Sequence, residues 1–541
     1  MSSLKRNIAP LPLLFTGLGS IIGSGWLFGA WNTAQIAGPA AILAWVVGMV
    51  MMLTIAITYT ELGAMFPQSG AMGRYAGYSH GPFVGFLASW ANWLSMIAIP
   101  PIEAVASVQY MTSWEWAWAR GLTEGGNLTP SGLALATAFL VVYFLLNFWT
   151  VQLFAKSNTA ITVFKIVVPL LVGVALLTLG FHPENFDAAS GGFAPFGWAA
   201  VFTGVATSGI VLSFNGFQAP INLAGEARNP GRSVPFAVVG AIVLAGILYV
   251  LLQVAFIGAV PPERLTEGWK ALKFDSPFAD LALALGLNWM AILLYVDAVI
   301  SPSGTGITYT ATASRALYGL ERGGHLPALV GRVHPLFGVP RNAMWINLAL
   351  GFACLYLFPN WGALAAVISI TCVIGFLMGP ISVVTLRRTA PQLHRPLRLR
   401  GLRVLAPLAF VFASLLLYWS RWPLTGQIIL LVLLGLPIYL YYETRRGRAQ
   451  AWSALWSGLW LVGYLACMTA LSWLGARDFG GTGLVPYGLD MVLVVVVALT
   501  FYGLGLRAGS RYVHGDLPSG LEESDVPAES QSPATRPSAT R

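Results

Sequence analysis

Lys165 sits inside an apolar run, Thr162-Val163-Phe164-Lys165-Ile166, with no charged residue beside it. An ammonium held at bilayer depth costs roughly 2.5–3.5 kcal/mol on insertion scales. A lysine taken out of water can load and release a proton near neutral pH, which makes Lys165 a candidate for proton coupling. Thr162, three residues earlier, and Asn158, seven earlier, share its helical face. The alternative is a fixed cation bonded to carbonyls. Two carboxylates are comparably placed: Glu103 follows Pro100-Pro101, and Asp297 stands four residues before Ser301. Ionisable groups at such depth relay protons or line a pathway by default, and otherwise serve as structural groups bonded to a neighbouring hydroxyl. Glu61 reads differently. It closes an apolar run near basic loops, where a helix-end anchor is the expectation.

Two glycine-rich, polar stretches interrupt other apolar runs: Gly19-Ser20-Ile21-Ile22-Gly23-Ser24-Gly25 and Ser213-Phe214-Asn215-Gly216-Phe217. Unwound backbone in lipid leaves N–H and C=O groups unpaired at several kcal/mol each, so it is tolerated only where it lines a cavity. A half-helix N-terminus there offers N–H groups and a positive dipole end, while freed carbonyls accept from a cation. A zwitterion needs both. The candidate binding residues are therefore Ile21, Ile22, Gly23, Ser24 and Gly25 on one run, with Phe214, Asn215, Gly216 and Phe217 on the other. Phe214 and Phe217 could gate a solute or simply fill a helix contact. The competing explanation for the glycines is close helix packing.

These residues need elements to hold them at depth. Of 541 residues, 56% are hydrophobic and 9% charged, against about 25% charged in soluble domains. A helix needs roughly 20 apolar residues to cross a bilayer. Such runs fall at 11–32, 39–65, 82–112, 132–154, 158–180, 198–224, 233–260, 277–314, 342–359, 361–386, 403–421, 424–442, 452–474 and 486–507. They predict an all-α integral membrane protein of about fourteen spans. The eighth run is too long for one straight crossing, so it runs past the membrane or bends near Ser301-Pro302-Ser303-Gly304. Pro100-Pro101 should kink the third.

Charge orients the chain. With the N-terminus inside, only Arg120, Arg264, Lys270, Lys273, Arg421 and Arg477 fall in external loops, out of 30 lysines and arginines. That bias follows the positive-inside rule and puts both termini in the cytoplasm. It also explains the net charge of +9 without a nucleic acid. Residues 1–10 read as a cytoplasmic N-terminus, and 515–541, rich in Pro, Ser, Glu and Thr, as a disordered cytoplasmic tail. Cys354, Cys372 and Cys467 lie in apolar runs and read as small buried side chains. His80, His182, His325, His334, His394 and His514 all fall in loops or the tail. With no HExxH and no phosphate loop, an enzyme is disfavoured, and no cofactor or metal is called for. A channel would want a filter or a charge ring, and none is visible. Most of the 20 tryptophans, Trp114, Trp116 and Trp118 among them, read as interfacial anchors.

The interruptions fall in the first and sixth runs, five spans apart. Broken helices at matched positions of two inverted halves point to a transporter's central site. Here the chain resembles the amino acid–polyamine–organocation superfamily of permeases. The matching stretches are Gly19 to Phe28, Gly38-Pro39-Ala40 leading to Tyr59 through Gly70, Asn222 through Pro230, and Ser314 to Tyr318 through His334-Pro335 to Ala343. Within it the chain is similar to the fourteen-span bacterial aspartate–proton symporters at Tyr78-Ser79-His80-Gly81, Phe193 to Gly197, Gln253 to Ala259 and Asp297 to Pro302. The resemblance implies a core at 11–386 built of repeats 11–180 and 198–386, and four additional spans at 403–507. It also implies proton-coupled uptake of an amino acid, with an acidic one suggested. Lys165 matches by span and context the lysine that replaces sodium in proton-coupled members. Exchange without a proton, or a neutral or cationic substrate, stays open. An aspartate carrier must offset a second carboxylate, and no arginine lies mid-span. The partners expected are an amino acid, a proton and the plasma membrane bilayer.

Overall fold

A computed structural model describes residues 8–67, 71–149, 152–186, 192–334, 339–446 and 448–512. The expectations for residues 1–7, Gln68-Ser69-Gly70, Pro335, His514 and the 515–541 tail lie outside the described residues, as does the side chain of Asn158.

The chain is helical almost throughout. The one strand pair among the described residues is a hairpin, Thr123–Glu124 against Asn127–Leu128, between the third and fourth spans. Eleven helices are long and apolar enough to cross a bilayer, or twelve with the bent pair Gly197–Thr207 and Ile210–Glu226 taken as one. Two features separate this count from fourteen. Gly25–Met65 is a single 41-residue stretch, about twice the length of a crossing, and a turn at Gly38–Ala40 divides it. Gly38 takes φ 61° there, and its α-carbon lies against the Pro195 ring, so both conformation and space require glycine. Arg341–Leu357, with 17 residues, is at the short limit.

The first span is broken as expected. Pro10–Ile21 ends at Ile22, and Gly25–Ala37 resumes after Ser24. The sixth span departs from the expectation in detail. Its backbone breaks at Ser208-Gly209, one turn before Ser213, with a 47° bend. Gly209 holds φ 97°, a left-handed conformation that side chains avoid. Asn215–Phe217 instead keeps right-handed dihedrals and tightens into a single 3-10 turn between Ile210–Phe214 and Gln218–Asn222. Polar composition marked the tightened turn, while one glycine in an apolar run made the larger break.

The third span divides into Pro82–Ile97 and Ile99–Met111, with Pro100 and Pro101 in the first turn of the second piece, where their missing N–H groups cost least. The long eighth run does not break at Ser301–Gly304. Asn288–Arg322 continues through Pro302 for 35 residues, roughly 52 Å at 1.5 Å per residue, and so outruns the bilayer. The separation lies earlier, where Gly286 at φ 72° parts it from the short helix Pro277–Ala284.

The first and sixth spans run antiparallel. The Ile8 N–H donates to Glu226 O at 2.9 Å, and the Arg228 N–H donates to Ile8 O at 3.0 Å. Farther in, Gly216 packs against the Ser20-Ile21 backbone so closely that any β-carbon would overlap it.

Glu61 is the anchor expected. Arg387, from the last turn of the tenth span, donates two hydrogen bonds to its carboxylate, and the Leu399 N–H adds a third at 2.9 Å. One histidine differs from the loop expectation. His80 ends the helix Arg74–His80 and is buried, with Nε2 3.0 Å from Gly505 O of the final span. His325 lies in the loop after Arg322, as expected, but is buried beside Glu443, at 3.6 Å. Both tie late helices to the earlier ones, and sequence separation hid that. Trp114, Trp116 and Trp118 form one cluster with the last two rings exposed, as interfacial anchors require.

Candidate functional site

The two interruptions meet around a narrow cavity with room for about one water molecule. The first span supplies Ser20, Ile21, Gly23 and Gly25. The sixth supplies Leu212, Ser213, Asn215 and Gly216. Ile99 and Glu103 of the third span and Thr305 and Tyr309 of the eighth close it.

Glu103 reaches into the first break. Its Oε2 accepts from the Ser24 N–H at 2.9 Å, at the start of the half-helix Gly25–Ala37, where bare N–H groups and the helix dipole favour an anion. A β-carbon on Gly23 would lie 2.6 Å from Glu103 Oε1 and 3.1 Å from Thr305 Oγ1, so glycine makes the approach possible. The Ser24 hydroxyl accepts from Trp361 Nε1 at 2.9 Å.

Lys165 holds the other end of the same break. Its Nζ donates to Gly19 O at 3.1 Å and to Thr305 Oγ1 at 2.7 Å. The Gly19 carbonyl belongs to the last turn of Pro10–Ile21, a partially negative helix end that suits a cation. Thr162, on the same face of the fifth span, packs against Gly19. Glu103 and Lys165 are 3% and 2% exposed, respectively. Thr305 Oγ1 lies against both the lysine and the Gly23 gap, linking the two ends through one hydroxyl.

Asp297 is fully buried, and no hydrogen bond of ordinary geometry reaches either of its oxygens among the described residues. Ser301 and Lys165 are the groups that act on it. It stands two helical turns from Thr305, away from the cavity wall. The cluster thus holds one ammonium and two carboxylates. Fully ionised, it carries an excess negative charge in a medium where unpaired charge is costly; one added proton removes that excess.

The remaining candidates divide. Ile22 is buried beside the break but does not line the cavity. Phe214 packs on Trp45 and Tyr249, and Phe217 packs on Tyr59 and Phe376, so both fill helix contacts. Asn215 lines the cavity, and its Oδ1 accepts from Gln218 Nε2 at 2.6 Å.

Sequence reasoning missed Thr305, Tyr309, Ile99 and Tyr249. Asp297, Ser301, Thr305 and Tyr309 recur every fourth residue, a slowly winding polar stripe along the helix. That periodicity was available as a signal. Tyr249 had none: its hydroxyl reaches Ile21 O at 3.1 Å and Ser213 O at 3.4 Å from a span that reads as plain lipid-facing helix.

Broken antiparallel helices around a buried polar cavity, within an all-helical membrane bundle, define a multi-pass membrane permease. Residues 10–437 match the amino acid permease family model, and the chain belongs to that family. It is 56% identical over 515 residues to the glutamate/serine transporter AimA of Bacillus subtilis, covering 94% of this chain and 95% of that one. It is 36% identical over 507 residues to the aspartate-proton symporter of the same organism, covering 92% and 96%. A branched-chain amino acid permease, BcaP, also of B. subtilis, shares 24% over 462 residues, covering 82% and 95%. The family makes the chain a transporter rather than an enzyme.

Proposed function

We propose that this protein imports an amino acid with an acidic side chain across the plasma membrane by proton symport. The carrying observation is that the Glu103 carboxylate occupies the Ser24 N–H, the place a substrate's α-carboxylate would take. Two anions cannot share that donor. Protonation of Glu103 weakens its hold, vacates the half-helix end and removes the negative charge that would repel an acidic substrate. Substrate and proton then enter together. Gly23, Ser24 and Gly25 supply N–H groups; Ile21 and Gly216 supply backbone for the ammonium. Asn215 meets the side chain, with Ile22, Phe214 and Phe217 shaping the cavity from behind. Lys165 tethers the first break to the eighth span in one protonation state and releases it in the other.

Charge counting supports two proton carriers. An acidic amino acid has net charge −1, so one proton gives an electroneutral cycle. A second makes it electrogenic, worth about 2.3 kcal/mol per 100 mV. Glu103 and Asp297 are two buried carboxylates able to take those roles. The names of two relatives, a glutamate/serine transporter and an aspartate-proton symporter, favour an acidic substrate and a proton.

The same reading divides the chain into a ten-span core at 11–386, with repeats 11–180 and 198–386, and four further spans at 403–507. That gives fourteen crossings, with both termini cytoplasmic. Uptake by the purified protein in proteoliposomes, under an imposed inward proton gradient, tests it. Labelled aspartate or glutamate should accumulate only with the gradient. Uptake that needs internal amino acid and ignores the gradient would make the protein an exchanger.

A further inference from the structure

Asn215 and Gln218 stand three residues apart on the sixth span, 1% and 2% exposed, and share a helical face. Gln218 Nε2 donates to Asn215 Oδ1 at 2.6 Å. Asn215 forms part of the cavity wall and Gln218 does not. That single bond leaves Asn215 Nδ2 and Gln218 Oε1 without partners among the described residues, although buried polar atoms are nearly always paired.

Each amide carries both a donor and an acceptor. If both turn over, the same bond forms in reverse: Asn215 Nδ2 donates to Gln218 Oε1, and Asn215 Oδ1 becomes the free atom. Neither arrangement contains more hydrogen bonds than the other, and the heavy-atom positions are shared. The side of Asn215 turned to the cavity is therefore undetermined until something enters.

We propose that this amide pair is a two-way switch through which one cavity accepts both carboxylate and hydroxyl side chains. The inference rests on the reading of the cavity as the amino acid site. A side-chain carboxylate only accepts, so it draws out Asn215 Nδ2. A side-chain hydroxyl donates to Asn215 Oδ1 in the reversed arrangement. A purely apolar side chain satisfies neither and leaves a buried amide unpaired, which selects against it. Gln218 is the positioning residue. It touches no substrate, yet its free rotation is what allows both states.

Binding to the purified full-length protein, measured at pH 6 and again at pH 8, separates this from a structural role, with aspartate, glutamate and serine as probes and apparent affinity read for each. Gln218→Glu presents only acceptors, pins Asn215 Nδ2 to itself and turns Asn215 Oδ1 to the cavity. The acid-to-serine affinity ratio should fall about tenfold or more, the loss of one hydrogen bond to a charged group. Asn215→Asp should shift the ratio the same way and serves if Gln218→Glu does not fold. Gln218→Met, close in size and without a hydrogen-bonding partner, should weaken both classes alike. An unchanged ratio in folded Gln218→Glu or Asn215→Asp overturns the switch while leaving the transport reading intact. Wild-type protein that binds neither acidic nor hydroxyl amino acids overturns both.

Discussion

The Ser24 N–H and the Glu103 carboxylate meet at 2.9 Å across 79 residues of sequence, so a side chain of the third span fills the anion site of the first. A carrier built this way holds its own competitor in place when substrate is absent. Glu103→Gln, uncharged like the protonated acid, should yield the Ser24 N–H to substrate at any pH and lose the proton-linked release. Counterflow of labelled substrate between equal concentrations should persist, while accumulation driven by a proton gradient falls at least tenfold. Wild-type accumulation in this variant would remove Glu103 from the coupling step.

Lys165 grips the other end of the break through Gly19 O and Thr305 Oγ1. Lys165→Ala should abolish accumulation against a pH gradient and leave substrate-induced thermal stabilisation measurable in detergent. Thr305→Val, which removes the hydroxyl linking lysine to break, should give a milder loss of the same kind. Unchanged proton-driven uptake in Lys165→Ala would reduce the lysine to a fixed cation.

Gly216 and Gly23 are fixed by space. A methyl on Gly216 would overlap the Ser20-Ile21 backbone, and one on Gly23 would come within 2.6 Å of Glu103 Oε1. Overpacking of this sort costs about 1–3 kcal/mol, and here it falls on the site. Gly216→Ala and Gly23→Ala should each lower uptake tenfold or more at normal membrane abundance. Gly204→Ala, whose nearest neighbour would be Thr33 Cγ2 at an ordinary 3.4 Å, is the control and should transport normally.

Glu61 and Arg387 pair at the end of the second span, the carboxylate fully buried. Among the described residues, Arg387→Ala leaves that charge with the Leu399 N–H and the more distant Arg395. Losing one partner of a buried pair costs about 3–5 kcal/mol. The melting temperature of the purified variant should drop by several degrees, while any folded fraction keeps its substrate preference. A melting curve matching wild type would show the pair to be dispensable.

The fold was legible because bilayer physics leaves few choices: long apolar runs must be helices. The first break was legible too, since three glycines and two serines within seven residues have no place in a plain span. Gly209 was not, because one glycine among apolar residues looks the same whether it packs or breaks a helix, and only the backbone dihedral distinguishes them. Lys165, Glu103 and Asp297 stood out as charges without nearby partners in sequence. Thr305 and Tyr309 were hidden because hydroxyls on helices usually bond their own backbone, as Thr308, Thr310 and Thr312 do here. Tyr249 could not be found by any pattern, since its task is set by two carbonyls freed on other spans.

The isolated main-chain bridge between Ile8 and Ala227 has a mechanical result. The limb Pro10–Ile21 and the limb ending at Asn222 are riveted at their outer tips as well as touching at Gly216. Neither can swing alone without tearing main-chain bonds, so whatever opens that face must turn the two as a single leaf, hinged at Ile22 to Ser24 on one side and at Gly209 on the other.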